Sequence, residues 1–264
     1  MSRDRSRRCA ALAAVAALAA ACASQSPPSG GISDPWQAWN RPVFAFNTKV
    51  DDYVLGPVAH GWMFITPQVV RDAIGRFFFN VAFPSRFVSS VGQGEAKKAL
   101  TELGRFVVNS TFGIAGIFDP ASEIGLARYD EDIGQMFGRW GIPPGPYWVI
   151  PLLGPSDPRD AVGRLGDAAL NPFFWLPPFW LPYAANGLNV VNSRALADKQ
   201  IQNARRTALD YYVFVRDAFL QNRASAVRDA NTPGQAGAGG YDLYSSPIID
   251  YDLPEEPKTD VPKK

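Results

Sequence analysis

The chain has 264 residues, 47% hydrophobic, 19% charged and 12% aromatic, a composition that excludes a disordered, collagen-like or coiled-coil protein. Its 26 Lys and Arg balance 25 Asp and Glu to a net charge of +1, so nothing draws the chain to phosphate backbones and no nucleic-acid partner is expected. Both cysteines, Cys9 and Cys22, fall within the first 22 residues and cannot staple a fold.

At the N-terminus, Arg3, Arg5, Arg7 and Arg8 precede an unbroken Ala, Leu and Val run from Ala10 to Ala21, the layout of a signal peptide over residues 1–21. Small residues Ala19, Ala20 and Ala21 before Cys22, with a polar Ser24-Gln25-Ser26 after it, match a bacterial lipobox in which Leu18 stands one place further out than usual. Cys22 would then carry the lipid and become the mature N-terminus. Plain cleavage after Ala21 also fits and would leave an unpaired thiol. Either cut removes four Arg and one Asp, turning +1 into −2. Ala23, where Asp would signal retention, favours sorting to the outer membrane.

Residues 22–33 read as a linker from the lipid and residues 34–230 as the folded domain. No later stretch approaches the roughly 18 apolar residues of a spanning helix. Apolar spacing predicts an amphipathic helix over Gln68–Ala82, ended by Pro84. A second runs from Glu95 to about Ser110, with Ala99, Leu100, Leu103 and Val107 on one side and Lys97, Lys98, Glu102 and Arg105 on the other. Turns follow at Gly113, Gly116 and Pro120, then a short helix over Asp132–Trp140. Six prolines make Gly141–Pro158 an irregular connection, with Tyr147–Ile150 extended. Ser156-Asp157-Pro158 opens a helix through Ala161, Leu165 and Ala169. A last helical region, Asn186–Arg228, is divided near Asp198. Residues 231–264 hold five Pro and four Gly without periodicity and read as a disordered tail.

Catalytic and metal-binding patterns are missing. His60 is the single histidine and reads as structural or solvent-facing; no metal, cofactor or catalytic residue is expected. The acidic groups Asp51-Asp52 and Asp130-Glu131-Asp132 read as solvated faces and helix N-terminal charge. Between Asn171 and Tyr183, by contrast, six of thirteen residues are aromatic and four are proline. Proline keeps regular structure from absorbing these rings. Phe173, Phe174, Trp175, Phe179, Trp180 and Tyr183 therefore read either as a buried irregular core or, preferably, as an interfacial belt in contact with lipid. Phe77-Phe78-Phe79 raises the same question.

Specific words then line up in order: Asp34-Pro35, Trp39-Asn40-Arg41, Phe44, Phe46-Asn47, Asp52-Tyr53 and Pro57-Val58-Ala59, followed by Gly134-Gln135, Trp140-Gly141, Gly145-Pro146-Tyr147, Gly154-Pro155-Ser156 and Arg159-Asp160. Together with Tyr212–Asp217 they resemble the MlaA/VacJ outer-membrane lipoproteins over residues 33–225. That resemblance implies a mostly helical, all-α protein: a ring of amphipathic helices lying in the periplasmic leaflet around an amphipathic channel. It also implies removal of misplaced phospholipid from the outer leaflet, with a trimeric porin and a periplasmic lipid carrier as partners. Gly113 and Gly116 resemble the place of a mobile hairpin beside that channel. The alternative is an envelope lipoprotein that scaffolds partners without conducting lipid.

Overall fold

The computed structural model describes residues 33–228. The signal peptide, Cys22, almost all of the linker and the tail from residue 231 lie outside the described residues.

The chain opens with α1 (Gln37–Val50), a π-helical turn (Asp51–Leu55) and α2 (Gly56–Ile65), which run on without a break. This stretch carries Pro42, Gly56, Pro57 and Gly61, residues that mask helical periodicity, and the sequence reading places no element here. The expected helix over 68–82 is α3 (Gln68–Val81). Pro84 does more than end it: it occupies the first turn of α4 (Phe83–Gly92), where its missing N–H has no bond to lose. α5 (Ala96–Thr111) lies where its spacing predicted, followed by the four-residue α6 (Pro120–Glu123) and by α7 (Ile133–Arg139), capped by Asp132 through the Gln135 N–H.

The Pro-rich connection forms a two-stranded hairpin, β1 (Trp148–Ile150) against β2 (Gly154–Ser156). Asp157 caps α8 (Pro158–Leu170) by accepting from the Asp160 N–H at 2.8 Å, as the Ser-Asp-Pro signal anticipates. A 3-10 turn (Pro172–Trp175) leads to α9 (Leu181–Leu196), α10 (Asp198–Thr207) and α11 (Tyr211–Arg228). The last helical region is therefore divided at Ala197 as expected, and again at residues 208–210.

One apolar core sits to one side, where Phe44 of α1 meets Tyr147 and Val149 of the hairpin and Tyr212, Val215 and Phe219 of α11. Two asparagines of α1 bind the hairpin as peptide groups would. Asn40 donates to the Tyr147 carbonyl at 3.0 Å and accepts from Val149 N–H at 2.8 Å; Asn47 repeats the pattern with Ile150 and Leu152, at 2.9 and 2.8 Å. Each asparagine thus satisfies an edge donor and an edge acceptor of the hairpin. Asp34 closes this corner by accepting from Asn40 at 2.9 Å and from the Tyr212 hydroxyl.

Beyond that core, α3, α4, α8, the 3-10 turn and α9 touch one another in succession, and α9 returns to α3. That closed circuit is a ring. Among the described residues no helix is long and apolar enough to cross a membrane.

Candidate functional site

The ring encloses a cavity of about 360 Å³. Arg76, Phe78 and Phe79 enter it from α3, Arg86 from α4, Arg128 from the segment before α7, and Asp167 from α8. Leu170 and Leu196 add apolar wall, so the space offers charge and hydrocarbon side by side.

What surrounds the cavity reverses the usual arrangement of a water-soluble fold. Among the described residues, fifteen hydrophobic residues are buried against twenty-five polar or charged ones. α5 states the reversal most plainly. Lys98, Glu102, Arg105 and Asn109, four or three apart and hence on one face, are buried, Glu102 completely at 0% exposure. Leu100, Leu103 and Val107 face outward. α3 does the same, burying Arg71 and Asn80 while Val69 and Val70 are exposed.

Buried charge is tolerable only when paired or fully hydrogen-bonded. Arg71 donates to the Met63 and Thr66 carbonyls and to Gln68, and most of the rest is paired. Arg86 donates to Glu102 at 2.7 Å, Lys98 to Glu131 at 2.5 Å and Arg105 to Asp119 at 2.8 Å. Arg223 holds Asp132 and Asp160, each at 2.5 Å. Arg194 holds Asp51 at 2.7 Å and Asp198 at 2.8 Å, and Arg205 adds Asp51 at 2.8 Å together with Asp52. Asp51, at the π-turn, and Glu131 are thus internal anchors rather than solvated faces, correcting that expectation; Asp132 does serve a helix N-terminus. His60 is half exposed, 3.1 Å from Asp198 through Nε2. No cluster of three metal-ligating side chains occurs among the described residues.

Within the cavity wall the Phe79 ring lies between two guanidinium groups, Arg86 at 3.5 Å and Arg128 at 3.6 Å from its centroid. Asp167 accepts from the Ser85 hydroxyl and from Ile133 N–H at 3.1 Å. Burial, together with the neighbouring charge of Asp132, pushes its carboxyl up to about 6. Asp132 is also driven up by burial, but Arg223 more than offsets this and holds it below the usual carboxylate range.

The aromatic segment stands on the ring's rim. Phe174, Trp175, Trp180, Tyr183 and Phe179 are exposed, the last at 85%; Phe173 is half-buried against Phe77 and Phe78, 6.3 and 6.2 Å away. Trp175 Nε1 donates to the Ala169 carbonyl at 2.7 Å, tying the segment to α8. Val162, Leu165, Phe64, Ile65, Val69 and Leu100, on α8, α2, α3 and α5, are exposed as well.

Gly113 and Gly116 flank a tight turn after α5 in which Ile114, Ala115 and Gly116 all have positive φ. A Cβ on Gly113 would stand 2.5 Å from two carbonyl oxygens, and one on Gly116 2.4 Å from the Asn80 side chain. The turn touches the cavity wall through Arg76, whose Nε donates to the Ile117 carbonyl at 2.8 Å.

Sequence reasoning missed Arg76, Arg86, Arg128 and Asp167, all cavity residues, and the signal that could have found them is faint. Lys98, Glu102 and Arg105 share one helix face, but their partners lie 33, 16 and 14 residues away on other elements.

Comparison with known proteins places this geometry. The model of the family described as MlaA lipoprotein matches residues 32–226. The Haemophilus influenzae protein named "Intermembrane phospholipid transport system lipoprotein MlaA" is 33% identical over 208 residues, covering 75% of this chain and 80% of that one. The Escherichia coli K12 protein of the same name is 31% identical over 220 residues, covering 81% and 86%. A solved structure reported as "Structural basis for maintenance of bacterial outer membrane lipid asymmetry" superposes with a TM-score of 0.66 at 29% identity, covering 76% of this chain and all of the other. The chain belongs to the MlaA lipoprotein family.

Proposed function

We propose that this protein is an outer-membrane lipoprotein that takes mislocalised phospholipid from the outer leaflet, passes it through the cavity inside the ring and hands it to a periplasmic lipid carrier. Family membership associates the chain with phospholipid and the outer membrane. The observation that carries the reading is the reversed polarity: an interior held by ion pairs, an exterior of exposed rings and aliphatics, and between them a cavity with both arginine and leucine in its wall. A phospholipid needs a polar route for its headgroup and an apolar one for its chains, and that wall offers both.

On the same reading, residues 1–21 are removed and acylated Cys22 anchors the chain on the periplasmic side through the 22–33 linker. Phe174, Trp175, Phe179, Trp180 and Tyr183, with Phe173 behind them, contact lipid, and the Gly113–Gly116 turn flanks the channel. A trimeric porin and the soluble carrier complete the path.

Mass spectrometry of the full chain, purified from membranes, tests the assignment directly. The expected result is a mature N-terminus at acylated Cys22 and co-purifying phospholipid. A free Cys22 thiol and a lipid-free protein would overturn it.

A further inference from the structure

Most buried cations of the interior meet a carboxylate, Arg71 being held instead by the Met63 and Thr66 carbonyls and by Gln68, while two half-buried cations in the cavity wall meet none. Arg86, Arg105, Arg194 and Arg223 each bond an Asp or Glu at 2.9 Å or less. Arg128 and Arg76 face the same cavity, yet neither has a carboxylate within ion-pair distance among the described residues. Arg76 commits Nε to the Ile117 carbonyl and leaves its Nη groups without a protein partner there. Arg128 rests over Phe79 and donates no side-chain hydrogen bond among the described residues. Burial works against its charge, as do the neighbouring Arg86 and Arg105, and the charges of Asp130 and Asp119 only partly compensate. A guanidinium in that position has no carboxylate bonded to it, and its fork suits the two oxygens of a phosphate.

The surroundings narrow the class of anion. Phe78, Leu170 and Leu196 in the wall favour an anion attached to hydrocarbon. Asp72, Asp130, Glu131, Asp132 and Asp167 line the same space; Lys98 and Arg223 neutralise Glu131 and Asp132, and the negative charge that remains disfavours free dianionic phosphate but tolerates a singly charged diester. We propose that Arg128, with Arg76 of α3, clamps the headgroup phosphodiester of a phospholipid inside the ring. This rests on the transport reading above and adds to it the residues that recognise the cargo.

The test is calorimetric titration of the full chain, held in amphipol, with dihexanoylphosphatidylglycerol, with dihexanoylglycerol, which lacks the phosphate, and with inorganic phosphate. Arg128→Gln should weaken binding of the phospholipid about 10- to 100-fold and leave dihexanoylglycerol binding unchanged. Arg128→Lys should recover part of the loss, since it restores a point charge without the fork. Arg76→Gln, on a different element, provides an independent reading if Arg128→Gln does not fold. Equal phospholipid affinity in wild type and both Gln variants would overturn the clamp. So would displacement of the phospholipid by inorganic phosphate at similar concentration, which would mark a free-anion site. Failure of the wild type to bind either lipid would instead remove the transport reading, and the clamp with it.

Discussion

At the scale of single residues, the interior depends on matched charge. Removing one partner of a buried pair such as Arg86–Glu102 leaves an uncompensated ion and typically costs about 3–5 kcal/mol, whereas replacing both with apolar groups is far milder. Titration adds a signature. Burial first, then nearby acidic charge, pushes both Asp157 and Asp167 up to about 6. Their folded forms therefore hold a proton more tightly than the unfolded chain does. Between about pH 4 and 6 the native state binds more protons, so their contribution makes stability fall as pH rises through that window. Asp119 and Asp132, held below the usual range, act with opposite sign and only at lower pH. Thermal melts should accordingly show a lower Tm at pH 7.5 than at pH 5, and Asp167→Asn should remove about half of that difference. A variant whose Tm tracks the wild type at both pH values would show that Asp167 does not carry the shift.

At the scale of elements, what the sequence discloses depends on how local the determining physics is. α5, α7 and α8 are legible because an amphipathic period or an N-cap lies within a few residues. α1 and α2 are not, because Pro42, Gly56 and Pro57 are helix breakers whose cost is met by distant partners: the hairpin edge held by Asn40 and Asn47, and Arg194 on the π-turn. The direction in which each amphipathic face points is equally hidden, since periodicity locates the apolar stripe of α5 but not whether water or hydrocarbon lies outside it. The aromatic segment is the converse case, a local composition with no ordinary core to fill. At roughly 150–250 Å² per ring and about 25 cal/mol per Å², inserting even two of its rings into a bilayer contributes several kcal/mol. With the remaining tryptophans replaced, Trp175 and Trp180 should be quenched by brominated acyl chains in reconstituted vesicles, and Phe179→Asp should lower lipid transfer while leaving the melt unchanged. No quenching at either position, with transfer intact in Phe179→Asp, would make this segment a protein interface.

At the scale of the molecule, the family words and the cavity do different work. Asp34, Asn40, Asn47, Arg159 and Asp160 tie the frame together, whereas Arg76, Arg128 and Asp167, which face the enclosed space, belong to none of the quoted motifs. Family membership was therefore readable from the sequence and the cavity lining was not: it is assembled from elements far apart in the chain. Transport through the ring requires that lipid occupy its inside as well as its outside. A photoactivatable phenylalanine analogue placed at Phe78, in the cavity wall, and separately at Phe179, on the exposed rim, can answer this in intact outer membranes after irradiation. Adducts of phospholipid mass at both positions are expected, with the Phe78 adduct lost when Arg128→Gln is added. A phospholipid adduct at Phe179 with none at Phe78 would mean a protein seated in the membrane that carries nothing through its centre, contradicting the account.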